Sequence, residues 1–342
     1  MPLRTPFWWY RDRHAIGLAL APIGALYGRV AASRLQKGEP YRSKLPVICV
    51  GNFTAGGGGK TPTAIAVAKA LEEMGERPSF LTRGYGGTAQ GPLFVVDGQD
   101  AAEVGDEPLL LAAQGPTMVA VDRAAGARAI EASDATVIVM DDGFQNPSLQ
   151  KDLSLIVVDA ASGIGNGRVL PAGPLRAPLD AQLPCADALL VIGDGNKAAP
   201  VAERFARAGK PILNAKIAPD CDSRWLAVLP VIGFAGIARP AKFFATLRNN
   251  GARLIDAHSF PDHHRYTGRQ AGKLLAEARQ HNAMLITTAK DWTRLPDDGA
   301  ELGELKHRSR PFPIVVQFED GEALKALLAA RLSRRNGDRG SA

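Results

Sequence analysis

The feature that most constrains this chain is a cluster of four glycines followed by Lys-Thr, which stands between an apolar segment and a helical pattern. Residues 45–75 read LPVICVGNFTAGGGGKTPTAIAVAKALEEMG. A strand, a glycine-rich loop and a helix in this order predict a P-loop, a turn that binds nucleotide phosphates. The strict pattern places glycine six residues before the lysine, where this chain has Thr54. A flexible glycine linker is the alternative, but it leaves the Lys-Thr ending unexplained.

The predicted loop carries the groups that a nucleoside triphosphate requires. Glycines let backbone N–H groups turn towards phosphate oxygens, and the helix N-terminus adds a positive dipole. We expect the Lys60 ammonium to reach the β- and γ-phosphates and the Thr61 hydroxyl to bind Mg²⁺. The predicted nucleotide-binding residues are Thr54, Ala55, Gly56, Gly57, Gly58, Gly59, Lys60 and Thr61.

Two acidic residues follow a second apolar segment. Residues 135–140 read ATVIVM, a continuous apolar run that is typical of a strand in a parallel sheet covered on both faces. Asp141 and Asp142 come directly after it, and open α/β sheets bind ligands at the carboxyl ends of their strands. We predict that one of these carboxylates reaches Mg²⁺, directly or through water. The alternative is that either aspartate caps the turn before Gly143.

The sequence favours ATP over GTP because it lacks the motifs of two classes of GTPase. A guanine-binding site would carry N/T-K-x-D, and the nearest candidate, TTAKDW at residues 287–292, has Lys290 and Asp291 adjacent. A metallochaperone GTPase would carry a cysteine-rich motif, whereas Cys49, Cys185 and Cys221 form no CxxC pair. The sequence therefore favours an enzyme that uses ATP.

The basic character of the chain is concentrated at its N-terminus. The formal net charge is +6, and residues 1–44 contain eight basic and two acidic residues, which leaves 33 of each sign in the remainder. This distribution argues against a protein-wide nucleic-acid surface.

The same N-terminal segment combines aromatic and apolar residues. FWWY at residues 7–10 lies beside arginines and precedes an apolar run over residues 15–28, which is too short to span a bilayer. Aromatic and basic residues around a short apolar stretch favour an interfacial helix that associates with a membrane surface. A cleaved signal peptide and a helix packed into the core are the alternatives.

Short apolar segments alternate with helical patterns along the rest of the chain, which predicts a parallel α/β fold. We predict a P-loop NTPase-type parallel sheet domain, a second, smaller α/β domain and an N-terminal membrane-associating helix. The predicted ranges are 1–44 for the N-terminal segment, 45–222 for the nucleotide-binding domain and 223–342 for the smaller domain. The predicted strands are Leu45–Val50, Pro78–Thr82, Thr117–Val121, Ala135–Met140, Leu153–Val158 and Asp187–Ile192, then Val228–Phe234, Arg253–Ala257, Met284–Thr288 and Pro313–Gln317.

Several phrases in a fixed order resemble one family. They are GNFTAGGGGKTP, LTRGYGG (81–87), VGDEP (104–108), DR (122–123), DDGFQ (141–145), GNGRVLPAGPLR (165–176), FPDH (260–263) and TAKD (288–291). Together they are similar to the tetraacyldisaccharide 4′-kinases of the lipid A pathway. The resemblance runs from the N-terminal segment to near the C-terminus.

The resemblance implies an activity, an acceptor and a location. It implies a transferase that uses ATP and Mg²⁺ to phosphorylate the 4′-hydroxyl of a tetraacylated glucosamine disaccharide 1-phosphate, giving lipid IVA. The expected location is the cytoplasmic face of the inner membrane, reached through the N-terminal segment. No nucleic acid and no protein partner is predicted.

The resemblance also implies roles for the acceptor side of the site. Asp106 matches the proposed catalytic aspartate of the family, where a carboxylate could take the proton of the acceptor hydroxyl. From the residues alone, GDEP is equally a helix start with Asp106 as N-cap. His263 matches the histidine thought to work with that aspartate.

Three arginines match family positions. Arg123 fits a charge clamp, because a guanidinium can bind phosphate oxygens through two hydrogen bonds, and the catalytic set is therefore Asp106, His263, Lys60 and Arg123. Arg83 and Arg176 are expected near ATP or the lipid phosphate. Asn146 stands where the family commonly has histidine, and asparagine keeps a hydrogen bond but cannot titrate.

Two other functions stay open on the sequence alone. One is a P-loop kinase or ligase that acts on a soluble metabolite. The other is a membrane-recruited ATP-binding switch whose output is a protein contact. The Asp106 and His263 phrases favour an enzyme, because a switch needs no base on the acceptor side.

Overall fold

The structure is a computed structural model that describes residues 6–36 and 39–340. Residues 1–5, 37–38 and 341–342 lie outside the described residues. Two of the basic residues counted in the N-terminal segment, Arg4 and Lys37, are among them.

Strands and helices alternate through most of the described chain. The strands are β1 Val47–Gly51, β2 Pro78–Thr82, β3 Leu93–Phe94, β4 Thr117–Val119, β5 Val137–Asp141, β6 Leu153–Asp159, β7 Ala188–Ile192, β8 Ile212–Pro219, β9 Val231–Ala235, β10 Leu254–Ser259, β11 Met284–Thr288, β12 Ser309–Phe312 and β13 Ile314–Phe318. The helices are α1 Ala15–Ala19, α2 Ala21–Gln36, α3 Lys60–Glu73, α4 Asp106–Ala112, α5 Arg123–Glu131, α6 Leu179–Gln182, α7 Ala199–Arg207, α8 Pro240–Asn249, α9 Gly268–Gln280, α10 Ala289–Arg294, α11 Ala300–Arg308 and α12 Gly321–Gly340. Short 3₁₀ helices cover Phe7–Tyr10, Leu183–Cys185 and Arg224–Ala227.

A nine-stranded sheet forms the larger layer, in the order β13-β8-β7-β6-β1-β5-β2-β4-β3. Its central strands are parallel, and β1 lies between β5 and β6. Both faces of β1 are buried: Ile48 and Val50 pack on the side of α3, and Val47 and Cys49 pack on the side of α5 and α7. Continuous apolar strands are the expected result of this two-sided cover, so the predicted parallel α/β fold is confirmed.

A four-stranded parallel sheet forms the smaller layer, in the order β10-β9-β11-β12. Helices α9 and α11 cover one face through Leu274, Leu275 and Leu305, and α8 covers the other through Phe243 and Phe244. The chain leaves the large sheet after β8 and enters the small one at β9. We propose that the boundary between residues 222 and 223 lies in this connection.

Strand β13 belongs to the large sheet. It pairs antiparallel with β8, and α12 then packs beside α3 on the large sheet. The predicted placement of this strand in the smaller domain is therefore wrong. Pro313, which has no N–H for a ladder, separates β12 from β13, and the chain changes sheets there. An apolar run in the sequence indicates a strand, but it does not indicate which sheet the strand joins.

The N-terminal helices pack against residues 166–178 with their glycines inward. Gly17, Gly24 and Gly28 are buried, and a Cβ built on Gly24 would lie 2.8 Å from the Val169 carbonyl oxygen. Large apolar side chains of this segment, Ile23, Leu26 and Val30 among them, are exposed instead, so packing into the core does not account for these three. Among the described residues, no helix has both the length and the hydropathy to cross a membrane.

Candidate active site

The glycine-rich loop joins β1 to α3 at the carboxyl edge of the large sheet. Helix α3 begins at Lys60, and its N-cap Gly59 has φ 84°, a conformation that glycine adopts without steric cost. The first N–H groups of a helix have no partner within it. The loop and helix therefore present backbone donors and a positive dipole at one point, as an anion site requires.

Lys60 lies between the loop and the two aspartates. Its Nζ donates to the Gly56 carbonyl oxygen at 3.3 Å and lies 3.6 Å from Asp142 Oδ2. Burial lowers the pKa of Lys60, and the charge of Asp142 opposes that shift. The ammonium is thus held near the loop by weak contacts that a phosphate oxygen can replace.

Asp141 is the last residue of β5 and pairs in register with Val50 of β1. Its Oδ2 accepts a hydrogen bond from Thr61 Oγ1 at 2.8 Å, while its buried Oδ1 has no partner among the described residues. Burial and the negative charge of Asp142 raise the pKa of Asp141 to about 7. An ionised carboxylate at this position would gain from a cation beside it.

Asp142 follows with a left-handed φ of 52° and contacts a different set of groups. Its Oδ2 accepts from Arg176 Nη2 at 3.0 Å, and its Oδ1 is a second buried oxygen without a partner among the residues described. Although burial favours the neutral acid, Lys60 and Arg176 outweigh it and hold the pKa of Asp142 below its usual value.

The oxygens at this corner suit Mg²⁺. Two unpartnered buried carboxylate oxygens, one each from Asp141 and Asp142, lie at a strand end beside the Thr61 hydroxyl. Mg²⁺ prefers oxygen ligands, and one or two carboxylates with substrate phosphates are its usual partners in phosphoryl-transfer sites. The residues present fit this ion.

The start of the loop is tied to the segment around Arg176. The Ala55 N–H donates to the Pro174 carbonyl oxygen at 2.8 Å, and Arg176 Nε donates to the Thr54 carbonyl oxygen at 3.1 Å. The Ala55 N–H therefore already has an acceptor. Thr54 and Ala55 support the loop by these contacts, and Gly56–Thr61 form its turn and helix start.

Asp106 stands at the start of α4 but does not cap it. The N-cap is Gly105, so the helix-cap alternative for the Asp106 side chain is wrong. The Asp106 side chain is 7% exposed and faces the elements of the small sheet: His263 Nδ1 lies 3.2 Å from Oδ2, and Lys290 Nζ lies 3.7 Å from the same oxygen. The contacts of its carboxylate thus point across to the second layer.

Arg294 at the end of α10 makes the shortest contacts with Asp106. Its Nε donates to Asp106 Oδ2 at 2.7 Å, and its Nη2 contacts the same oxygen. Although burial favours the neutral acid, His263, Arg294 and Lys290 together hold the pKa of Asp106 well below its usual range. The sequence interpretation missed Arg294, because a lone arginine three residues after TAKD carries no motif of its own.

His263 is held between the two layers. Its backbone φ is 54°, its N–H donates to the Gly236 carbonyl oxygen at 3.1 Å, and its Nε2 lies 3.4 Å from Lys290 Nζ. Lys290 also donates to Glu107 Oε1 at 2.5 Å. Ligand atoms of Asp106, Glu107 and His263 lie within 4.8 Å of one another, but Lys290 and Arg294 already supply positive charge to these carboxylates.

Arg123 and Arg83 form a positive region at the ends of neighbouring strands. Arg123 is buried, its Nη1 contacts the Ala120 carbonyl oxygen, and its Nε has no partner among the described residues. Burial and then the positive charge of Arg83 lower the pKa of Arg123 to about 10. Arg83 itself is exposed. An anion would relieve the repulsion between these two guanidinium groups.

Asn146, which cannot titrate, has a structural role: its side chain makes hydrogen bonds within a turn. Its Oδ1 accepts from the Ser148 N–H at 2.8 Å and from the Ser148 hydroxyl at 2.7 Å, which closes a turn. The three cysteines are unpaired, with Cys49 buried and Cys185 and Cys221 exposed.

Comparison with known proteins gives consistent results. A family model described as tetraacyldisaccharide-1-P 4′-kinase matches residues 16–333. The tetraacyldisaccharide 4′-kinase of Methylobacterium sp. (strain 4-46) is 50% identical over 339 residues, covering 98% of this chain and 100% of that protein. The tetraacyldisaccharide 4′-kinase of Paramagnetospirillum magneticum is 51% identical over 297 residues, covering 86% and 90%.

A solved structure is similar over nearly the whole chain. The crystal structure of LpxK from Aquifex aeolicus in complex with ATP superimposes with a TM-score of 0.72 at 28% sequence identity. The match covers 93% of this chain and 99% of the other.

Proposed function

Because the chain belongs to the tetraacyldisaccharide-1-P 4′-kinase family, we infer that it transfers the γ-phosphate of ATP to the 4′-hydroxyl of a tetraacylated glucosamine disaccharide 1-phosphate in lipid A biosynthesis. The observation that carries this inference is that the structure has two groups of site residues, a donor half-site that would bind ATP and an acceptor half-site that would receive the hydroxyl. A phosphate-binding loop ends at Lys60, and the Asp106–His263 pair lies across from it, with Glu107 close enough for its charge to act on both Lys60 and Asp141.

The donor half-site holds ATP through the loop. Backbone N–H groups at the start of α3 and the Lys60 ammonium bind the phosphates, and Asp141, Asp142 and Thr61 would hold Mg²⁺. When bound, Mg²⁺ neutralises the charge that develops on the transferring phosphoryl group. Arg123 and the exposed Arg83, which follow the neighbouring strands β4 and β2, bind phosphate oxygens. Arg176 orients Asp142 through its hydrogen bond.

The acceptor half-site receives the hydroxyl at Asp106. In a loose transition state the proton leaves late, so a carboxylate of low basicity suffices if it is correctly oriented. His263 contacts Asp106 at 3.2 Å and keeps the Asp106 carboxylate directed towards the smaller layer, to which His263 belongs. Asp106 therefore accepts the proton, and His263 is its orienting partner.

The N-terminal helices present an apolar surface for the membrane in which the acceptor is anchored. Ile23, Leu26, Tyr27 and Val30 of α2 follow the i, i+3, i+4, i+7 spacing of one helix face, and all four are exposed. The buried face of the helix carries glycines instead. This arrangement suits shallow insertion at the cytoplasmic face of the inner membrane.

Replacing Leu26 with aspartate should weaken binding to vesicles that contain anionic lipid. We expect a loss of about tenfold or more, since burying one leucine side chain contributes about 1.5–3 kcal/mol. Vesicle sedimentation measures the partition. Val228→Asp is the matched control, because Val228 is 74% exposed and lies outside the N-terminal segment. Equal partition of Leu26→Asp and the control would contradict membrane binding through this face.

The acceptor is tested by removing its acyl chains. Kinase activity is measured with the tetraacylated disaccharide 1-phosphate in mixed micelles and with the deacylated disaccharide 1-phosphate in solution. We expect fast turnover of the acylated form only, because binding energy from remote parts of a substrate is used at the reacting centre. Equal turnover of the two forms would favour a kinase for soluble metabolites instead.

A further inference from the structure

Arg294 is a buried arginine whose three guanidinium nitrogens all have partners, and these partners belong to both layers of the molecule. Nε and Nη2 contact Asp106 of the large domain, as described above. Nη1 donates to the Gly236 carbonyl oxygen at 2.7 Å and to Asp291 Oδ1 at 2.9 Å, both in the smaller layer. The side chain is 6% exposed. It is therefore a link between the two layers rather than a surface charge.

The contact with Gly236 extends this link to the phosphate loop. The Gly236 carbonyl oxygen also accepts the His263 N–H at 3.1 Å, so one carbonyl holds both Arg294 and His263. Two residues later, Ala238 lies against the glycine-rich loop: a Cβ built on Gly57 would be 3.5 Å from the Ala238 Cβ. A displacement of Arg294 would thus disturb the orientation of the acceptor pair relative to the donor loop.

The other charged groups around Asp106 cannot replace Arg294. Lys290 is 3.7 Å from the carboxylate and makes its short contact with Glu107, the neighbour of Asp106 on α4. His263 contacts the carboxylate through one ring nitrogen. A guanidinium contacts Asp106 through two nitrogens and Gly236 through a third, which a lysine ammonium on a flexible stem does not reproduce.

We propose that Arg294 is a positioning residue of the kinase reaction, which acts through Asp106 by fixing the direction of its carboxylate towards the acceptor hydroxyl. This inference rests on the proposed function. A misplacement of about 1 Å at a reacting group can cost about 10²-fold in rate. The expected result of removing Arg294 is therefore a loss of kcat, with ATP binding retained because the P-loop contacts are unchanged.

The test compares Arg294→Gln, Arg294→Lys and the control Arg308→Gln, whose side chain is 59% exposed and pairs with Glu304 on the surface. In Arg294→Gln we expect kcat to fall about 10²-fold, with KM for ATP little changed. We expect the acidic limb of the pH–rate profile to move to higher pH, because loss of a cation raises the pKa of a carboxylate. Arg294→Lys should restore the position of that limb but only part of kcat.

Folding is followed by thermal melting and by ATP affinity in the same preparations. Methylguanidine added to Arg294→Ala should recover part of kcat if the guanidinium positions Asp106. Three results would overturn the inference: kcat equal to that of Arg308→Gln, a loss matched by an equal loss of ATP affinity with an unmoved pH profile, or no recovery with methylguanidine. A wild-type enzyme inactive on the acylated acceptor would overturn the proposed function itself, and this inference with it.

Discussion

Replacing Lys60 with alanine is expected to lower phosphate transfer by about 10³-fold, the effect of removing one preorganised charge from a transition state. The Lys60 side chain is 11% exposed at the start of α3, where its ammonium contacts one carbonyl oxygen at 3.3 Å and one carboxylate at 3.6 Å. It is therefore available to the phosphates, whose negative charge increases on the bridging oxygen as the bond to the γ-phosphate breaks. Transfer of labelled γ-phosphate measures the loss.

Lys69→Ala is the matched control for Lys60→Ala. Lys69 lies on the same helix, on its exposed side, and contributes no group to the phosphate loop. We expect the control to transfer phosphate at the wild-type rate and to melt at a similar temperature. Turnover by Lys60→Ala at the rate of Lys69→Ala would mean that the loop is not the donor site.

Replacing Asp106 with asparagine is expected to lower kcat by about 10²–10⁴-fold, the range for removal of a general base. Asparagine has nearly the same shape, so the site keeps its packing while the proton acceptor is lost. The acceptor hydroxyl then has no carboxylate to take its proton, because Glu107 is engaged by Lys290. ATP affinity should be retained, since Asp106 contacts groups of the smaller layer and none of the loop.

The control for Asp106→Asn is Asp97→Asn, an exposed aspartate in the segment that precedes α4. Steady-state kinetics with saturating ATP separates the two variants. If Asp106→Asn retains the kcat of the control, the base lies elsewhere. If it loses ATP affinity in proportion to kcat, Asp106 supports the donor site instead of the acceptor.

Much of the fold follows from apolar runs that are bounded by loop residues. The bounds predicted for Pro78–Thr82 and Met284–Thr288 agree with β2 and β11, because buried parallel strands are apolar on both faces. Strand β8 was missed, since Ile212–Pro219 alternates buried and exposed positions near the sheet edge and includes Asn214 and Lys216. The placement of β13 depends on a long-range pairing that no local pattern contains.

The site residues also fall into those that local sequence patterns predict and those that depend on long-range contacts. The phosphate loop and the two aspartates are predictable because each stands at a strand end with a local signature. Arg294 was missed because its partners, Asp106 and Gly236, are 188 and 58 residues away in sequence. The inward glycines of α2 were missed for a related reason: small residues have no periodic apolar signal, although they allow the helix to approach the Val169 carbonyl oxygen.

The kinase reaction is tested most directly by transfer of labelled γ-phosphate from ATP to purified tetraacylated disaccharide 1-phosphate in mixed micelles, with Lys60→Ala as the blank. A second acceptor, methylated at the 4′-hydroxyl, shows which oxygen receives the phosphate. We expect label in the lipid product with wild-type enzyme, none above background with Lys60→Ala, and none with the blocked acceptor. Folded, ATP-binding wild-type protein that leaves the acceptor unlabelled, or that labels the blocked acceptor equally well, would contradict phosphorylation of the 4′-hydroxyl.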